Sequence, residues 1–322
     1  MKLIARLMAV AGLILLALIA AHDAVAQVAR TIRIVVPFPA GGSADDLARL
    51  LAEQIGRTRG VNFVIENRPG AGTIVASEAV ARSAPDGNTL LIMANSFVIN
   101  PSLKKLAYDP FTSFAPICHL VSSPLIFAVN SEAPYRTLAD LIGAAKASPG
   151  TLTMATVAPA TTQHIAFEMF KRVAGIDMIH VPYPGGAPAV TALLGNHVTA
   201  VIANYSEVEA HQASGKLRAL ATASRTRIKA APDVPTVTEL GYPSYDSEVW
   251  FGAVAPAKTP ADTLAQLASW FTAALADAGV RDKLQLQEMY PAGVCGADFA
   301  AHLRRQFDDY ARVIREADIK AE

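Results

Sequence analysis

Short β-branched runs recur along this chain, and most give way to a stretch with helical periodicity. The strand candidates are Thr31–Val36, Val61–Asn67, Thr89–Met93, Leu125–Asn130, Leu152–Ala155, Met178–Val181, Val198–Ala203 and Leu217–Ala221. Alternation of this kind builds parallel sheets, because the intervening helix carries the chain back across the sheet before the next strand begins. The fold class is therefore α/β.

The helices are well punctuated. Ser43-Ala44-Asp45-Asp46 resembles a capping box, after which Leu47, Leu50, Leu51 and Ile55 form one apolar face. Thr259-Pro260-Ala261-Asp262 opens another helix in a similar way. Near the end, Phe299, Leu303, Phe307, Tyr310, Val313 and Ile314 recur at three- and four-residue spacing opposite Arg304, Arg305, Asp308 and Asp309. Such a helix packs on a lobe surface.

The first residues read as an export signal. Lys2 and Arg6 form a positive start, Leu7–Ala21 an apolar run, and Ala24-Val25-Ala26 a small-residue cleavage site before Gln27. The run falls short of the roughly 20 residues that span a bilayer, so the reading is cleavage near Ala26 and release into the periplasm. About 300 residues remain, enough for two lobes with substantial cores. The 28 basic and 28 acidic residues are scattered, which gives no nucleic-acid surface and no polybasic lipid patch. Cys118 and Cys295 reach an oxidising compartment far apart in sequence. Two thiols are the favoured reading, with a bridge left open.

Tyr108–Pro124 is rich in Pro, Phe and Ser, and Ala230–Ser247 holds four prolines among short polar turns. Both read as crossings between lobes. Residues 27–124 with 249–322 then form the first lobe and 125–248 the second, with a cleft between them. Open α/β sheets bind ligands beyond the carboxyl ends of their strands, so two facing sheets place several helix N-termini around one pocket.

The strand-to-helix junctions supply the candidate site. Pro37–Asp46 carries Gly41 and Gly42 and delivers a strand end onto a helix start, where unpartnered backbone N–H groups and a partial positive charge suit a small anion. Glu66–Gly72 is a second such turn, in which Arg68 anchors its own loop. Its partial Gly-x-Gly-x-x-Gly fails at Val75, and an exported protein seldom holds a soluble dinucleotide cofactor, which together argue against a nucleotide site. Thr156–Thr162 leads into a third helix that Thr161 or Thr162 caps, and Tyr183–Pro188 starts a fourth. The candidate ligand residues are Phe38, Ala40, Gly41, Gly42 and Ser43; Asn95 and Ser96 after a strand end; Thr156, Thr161 and Thr162; and Gly186, Ala187 and Asn204. Each has a plainer role: Ser43 as an N-cap, Asp45 and Asp46 as partners of the helix dipole, Trp250 and Phe251 as core or cleft wall.

No catalytic pattern emerges. His119, His164, His180, His197, His211 and His302 lack metal-ligand spacing, and no Gly-x-Ser-x-Gly elbow exists. Ser43 with His164 as a nucleophile and base has no support in spacing.

Val36–Asp45, Glu66–Gly72, Pro85-Asp86-Gly87, Ile99-Asn100-Pro101, His180–Tyr183, Gly215–Leu220 and Pro232–Thr236 together resemble the receptors of tripartite tricarboxylate transporters, the Bug proteins, in the family's own order. The resemblance implies a type II periplasmic binding-protein fold with two α/β lobes that close on a small organic carboxylate (a dicarboxylate, tricarboxylate or aromatic acid). It also implies a monomer, no cofactor, and delivery of the acid to a two-component membrane permease; a sensory receptor or, more remotely, a hydrolase are the alternatives. Phe38–Ser43 matches the family's first ligand loop and Thr156–Thr162 the second. In the second, Ala155-Thr156-Val157-Ala158-Pro159-Ala160-Thr161 replaces a glycine-rich pattern, so left-handed backbone conformations are expected to be lost there. Ala192, Thr199 and Ala203 stand where relatives commonly carry Asp, which removes partners for a ligand ammonium and points to an uncharged or purely anionic acid.

Overall fold

The structure, a computed structural model, describes residues 30–243, 245–316 and 319–320. The export signal and its cleavage site lie outside the described residues. Ten strands pair in the order β2-β1-β3-β9-β4-β7-β5-β6, with β8 and β10 also joined to β4. They are β1 (Thr31–Val36), β2 (Asn62–Asn67), β3 (Thr89–Ala94), β4 (Phe114–Asn130), β5 (Thr153–Val157), β6 (Ile179–Tyr183), β7 (Ala200–Asn204), β8 (Leu217–Thr222), β9 (Glu248–Pro256) and β10 (Tyr290–Cys295). The α-helices among the described residues are α1 (Ser43–Arg59), α2 (Ile74–Ala81), α3 (Ser96–Leu103), α4 (Leu138–Ala147), α5 (Thr162–Ala174), α6 (Gly186–Leu194), α7 (Tyr205–Ala213), α8 (Ala261–Ala276), α9 (Ala278–Leu286) and α10 (Gly296–Glu316).

Two half-sheets share one long strand. β1 pairs in parallel with β2 and β3, and β5 pairs in parallel with β6 and β7, as the alternation requires. β4 serves both halves: Phe114–Pro124 pairs with β9, and Leu125–Asn130 pairs with β7 and β8, all antiparallel. The first half of β4 is where sequence pointed to an irregular crossing. Pro116 and Pro124 lack a donor, and the ladder with β9 shifts register between Pro116 and Cys118 and again between His119 and Val121, so bulges let a proline-bearing segment stay in the sheet. β9 and β10 escape a sequence pattern altogether. β10 is a Pro- and Gly-bearing edge that the fold places against β4, with Cys295 opposite Cys118.

That pairing corrects the thiol reading: Cys118 and Cys295 form a disulfide. β10 brings the two cysteines together across the sheet, which separation in sequence does not disclose.

α1 shows how the junctions are built. Leu47, Leu51 and Ile55 are buried, Asp45 and Asp46 occupy the first turn, Arg57 and Arg59 the last, and Gly60 closes the helix in the left-handed conformation with φ 66°. Its N-cap is Gly42, without a side-chain cap bond, so the capping box expected at Ser43 is absent. Ser43 turns its hydroxyl elsewhere. α10 packs Phe299 and Leu303 into the core with Phe97 and Trp250, as its periodicity indicates. The carboxyl ends of β1, β3, β5, β6 and β7 each run into a turn and a helix start, and those turns face one another across a cleft between the two α/β lobes.

Candidate functional site

The cleft holds a small cavity. Its walls come from the ends of β1 (Phe38, Pro39, Gly42, Ser43, Ala44), β3 (Ala94, Ser96), β5 (Val157, Thr161, Thr162, Gln163), β6 (Gly185, Gly186, Ala187, Pro188) and β7 (Asn204, Glu207), with Val249 and Phe251 of β9 behind. About 30 Å³ is open to water-sized probes, room for about two waters. Glu207 is the one ionisable side chain among these lining residues.

Nine of the thirteen candidate residues meet here: Phe38, Gly42, Ser43, Ser96, Thr161, Thr162, Gly186, Ala187 and Asn204. The other four do not line the cavity. Ala40 is exposed on the turn, and the Gly41 N–H donates to Asp45 Oδ2 at 3.0 Å. Asp45 also accepts from Arg49 and from Asn67, which in turn donates to the Phe38 carbonyl, so the acid braces the loop from within. Burial pushes Asp45 up, but the bonds from Arg49, Gly41 and Asn67 outweigh it and hold its carboxyl below the usual range. Asn95 is fully buried and ties strands to α10: its Nδ2 donates to Glu248 O at 3.2 Å and Tyr310 Oη at 2.8 Å, and its Oδ1 accepts from Trp250 N at 3.0 Å. Thr156 is likewise buried, with its hydroxyl 2.6 Å from His180 Nε2 and donating to Val157 O at 2.7 Å. Side-chain direction at a strand end separates these residues from their lining neighbours.

The hydroxyls that do line the cavity are held in place. The Thr161 hydroxyl accepts from His164 N and donates to Ala158 O, which fixes the start of α5. Gln163 Nε2 donates to Asn204 Oδ1 at 3.1 Å, joining α5 to the end of β7. Ser96 shares a hydrogen bond of 3.0 Å with Thr73. Phe251 is cleft wall, whereas Trp250 is core and donates from Nε1 to Gln306. Ala160 takes up the left-handed conformation (φ 61°) despite its β-carbon, so the expected loss of such conformations in this loop does not hold.

Ser43 crosses the cleft. Its Oγ lies 2.7 Å from Ser206 Oγ and accepts from Asn204 Nδ2 at 2.8 Å. His164 is engaged otherwise, its Nδ1 accepting from Ala160 N at 3.2 Å, so the serine and histidine do not form a nucleophile and base. Pro39 and Gly185 also meet across the cleft: a β-carbon on Gly185 would lie 2.8 Å from Pro39 Cδ. The two lobes are in contact, and the arrangement is closed.

Glu207 is the residue that sequence inspection passed over. Asn204-x-x-Glu207 is a capping box at the start of α7, an N-cap and an acid three residues on, and that pattern is legible. The Asn204 N–H donates to Glu207 Oε2 at 3.2 Å, and the Ser43 N–H, from the opposite lobe, donates to Oε1 at 3.5 Å. The carboxyl lies between two glycines: an added β-carbon would fall 3.3 Å from it on Gly42 and 1.9 Å on Gly186. Neither glycine has a positive φ, so what they supply is space for the acid. Glu207 is half-buried and lines the cavity. Burial pushes it up to about 7, hydrogen bonds from Ser43 and Asn204 pull it down, and the charge of Asp46 pushes it further up. The first junction therefore does not present bare amides, as expected from sequence: Asp45 takes the Gly41 N–H and Glu207 the Ser43 N–H.

The positions that suggested a ligand without an ammonium lie off the cavity. Thr199 precedes β7 at the end away from Asn204 and exchanges hydrogen bonds with Thr153, while Ala203 is fully buried in the core of the second lobe.

Residues 47–319 match the model of the tripartite tricarboxylate transporter family receptor. The chain belongs to that family. It is 34% identical over 295 residues to protein BugT of Bordetella pertussis, covering 91% of this chain and 90% of BugT. Among solved structures it resembles Rpa4515 of R. palustris with adipate (30% identity, 91% of this chain and 99% of that one, TM-score 0.88). It also resembles MatC of Rhodopseudomonas palustris with bound malate (28% identity, 88% and 99%, TM-score 0.83). The two lobes and their cleft are thus the type II periplasmic binding-protein fold of a receptor family, and Ser43, Thr161, Gly186 and Glu207 stand where its strand ends converge.

Proposed function

We propose that this receptor captures a small organic carboxylate in the cleft and delivers it to a two-component membrane permease, after export and signal removal near Ala26. The observation that carries the reading is the convergence of helix starts, at Ser43, Ser96, Thr162, Gly186 and Tyr205, on a single cavity without a basic side chain among its lining residues. Peptide N–H groups and helix dipoles favour an anion in such a place. The adipate and malate carried by the two structural relatives support the same ligand chemistry. Glu207 occupies the Ser43 side, which leaves the start of α5, with its backbone N–H groups beside Thr162 and Gln163, as the wall for the ligand's carboxylate.

The lobes we assign are residues 27–124 with 249–322, and 125–248. The exchange of partners along β4 at Pro124 and Leu125 supports the first boundary, and the return of the chain in β9 the second. Binding proceeds by opening and closing of the lobes about these strands. Native purification followed by denaturation and mass spectrometry tests the reading. Recovery of an intact organic acid in stoichiometric amount is expected; a recovered ligand without an acid group, or one hydrolysed by the protein, contradicts it.

A further inference from the structure

We propose that Glu207 determines specificity in this receptor: its carboxylate, wedged between Gly42 and Gly186, selects acids whose far end carries a hydrogen-bond-donating ammonium and rejects dicarboxylates of the same length. The inference rests on the carboxylate-receptor reading and refines its ligand.

Three observations carry it. The acid is the one ionisable side chain among the residues lining the cavity, and it is only half-buried. Its hydrogen bonds, from the Asn204 and Ser43 N–H groups at 3.2 and 3.5 Å and from the Ser43 side chain, still leave part of its acceptor capacity unused, since an ionised carboxylate offers about four lone-pair sites. The charge of another acid, Asp46, opposes its ionisation. A buried anion without a cationic partner is costly, and a ligand ammonium at this place removes the cost. A ligand carboxylate there adds a second like charge and is disfavoured for the same reason. The lost acids at Ala192, Thr199 and Ala203 argued for the opposite ligand; Glu207 supplies the missing carboxylate from a different element.

Glycine at position 186 fits the same picture. Any side chain there collides with Glu207, so the close approach of α6 to the acid is part of the site. A ligand ammonium seated against Glu207 places its carboxylate across the cavity at the Thr161–Gln163 wall, and lobe closure then buries both ends at once.

Isothermal titration with two matched pairs tests the proposal: 4-aminobutyrate against succinate, and 6-aminohexanoate against adipate, with butylamine and hexylamine as amines without an acid. For the wild type, one amino acid is expected to bind about tenfold or more tighter than its dicarboxylate partner. Glu207→Gln, which keeps an acceptor for the Asn204 N–H, is expected to abolish or reverse that preference. Glu207→Ala gives the same comparison if the amide variant does not fold. A dicarboxylate that binds the wild type as tightly as its amino partner, or a preference unchanged by Glu207→Gln, overturns the role of Glu207 and leaves the carboxylate-receptor reading standing. Binding of the plain amines alone overturns the carboxylate reading while keeping Glu207 as the selector. Binding of no probe by wild type or variants overturns both.

Discussion

Glu207 carries the main pH dependence expected of the site. A carboxyl raised from 4.5 to about 7 in the fold gives stability that is fully present below 4.5 and is lost as pH rises through about 7. Buried His119 has the opposite sign: burial and the charge of His302 lower it to about 4, so its contribution is present above 6.5 and lost as pH falls toward 4. The difference between wild type and Glu207→Gln isolates the first effect. Thermal melts at pH 5 and pH 8 are expected to show the variant gaining stability relative to wild type at the higher pH, on the order of 3 kcal/mol at most. An equal difference at both values contradicts the assignment. Ser43 acts through closure instead. Its hydroxyl bonds exist only when the lobes meet, so Ser43→Leu is expected to weaken ligand binding by about tenfold or more while shifting stability by less than about 1 kcal/mol. Titration and melting curves on the same sample separate the two. At this scale the junctions were legible but not the directions of their side chains. Ser96 lines the cavity while its neighbour Asn95 is fully buried against β9 and α10, a distinction that only the packing of Tyr310 and Trp250 makes.

The disulfide belongs to the element scale, where it fastens β10 to β4. Joining residues 177 apart removes much of the freedom of the unfolded chain, and such bridges contribute typically 2–4 kcal/mol. Reduction, or the double change of Cys118 and Cys295 to serine, is expected to lower the melting temperature by roughly 2–4 °C for each kcal/mol lost. Ligand affinity should hold, because neither cysteine lines the cavity. A large loss of affinity at a temperature where the reduced protein remains folded would contradict this separation. β10 also shows why some elements were hidden. The parallel strands announce themselves by β-branched runs between helices, so β1, β2, β3, β5, β6 and β7 are readable, and antiparallel β8 is read in the same way. β9 and β10 are both antiparallel partners of the first half of β4, and their pairing is decided by distant parts of the chain.

Across the whole molecule, the proposed mode of binding requires an open form that admits the ligand and a closed form that surrounds it. Small-angle scattering is expected to show a more extended protein without ligand and compaction toward the closed structure when the bound acid is added. No change in dimensions, with binding demonstrated on the same sample, contradicts lobe closure. The α/β class and the cleft follow from the order of elements, whereas the contents of the cleft depend on Glu207, Gln163 and Phe251 meeting from three parts of the chain. The most direct test is a crystal structure of the protein with the acid recovered from it. The account predicts ligand density between Ser43 and Thr162, its carboxylate against the start of α5 and a donor group within hydrogen-bonding distance of Glu207. Density outside this cavity, or a ligand carboxylate seated against Glu207, would contradict it.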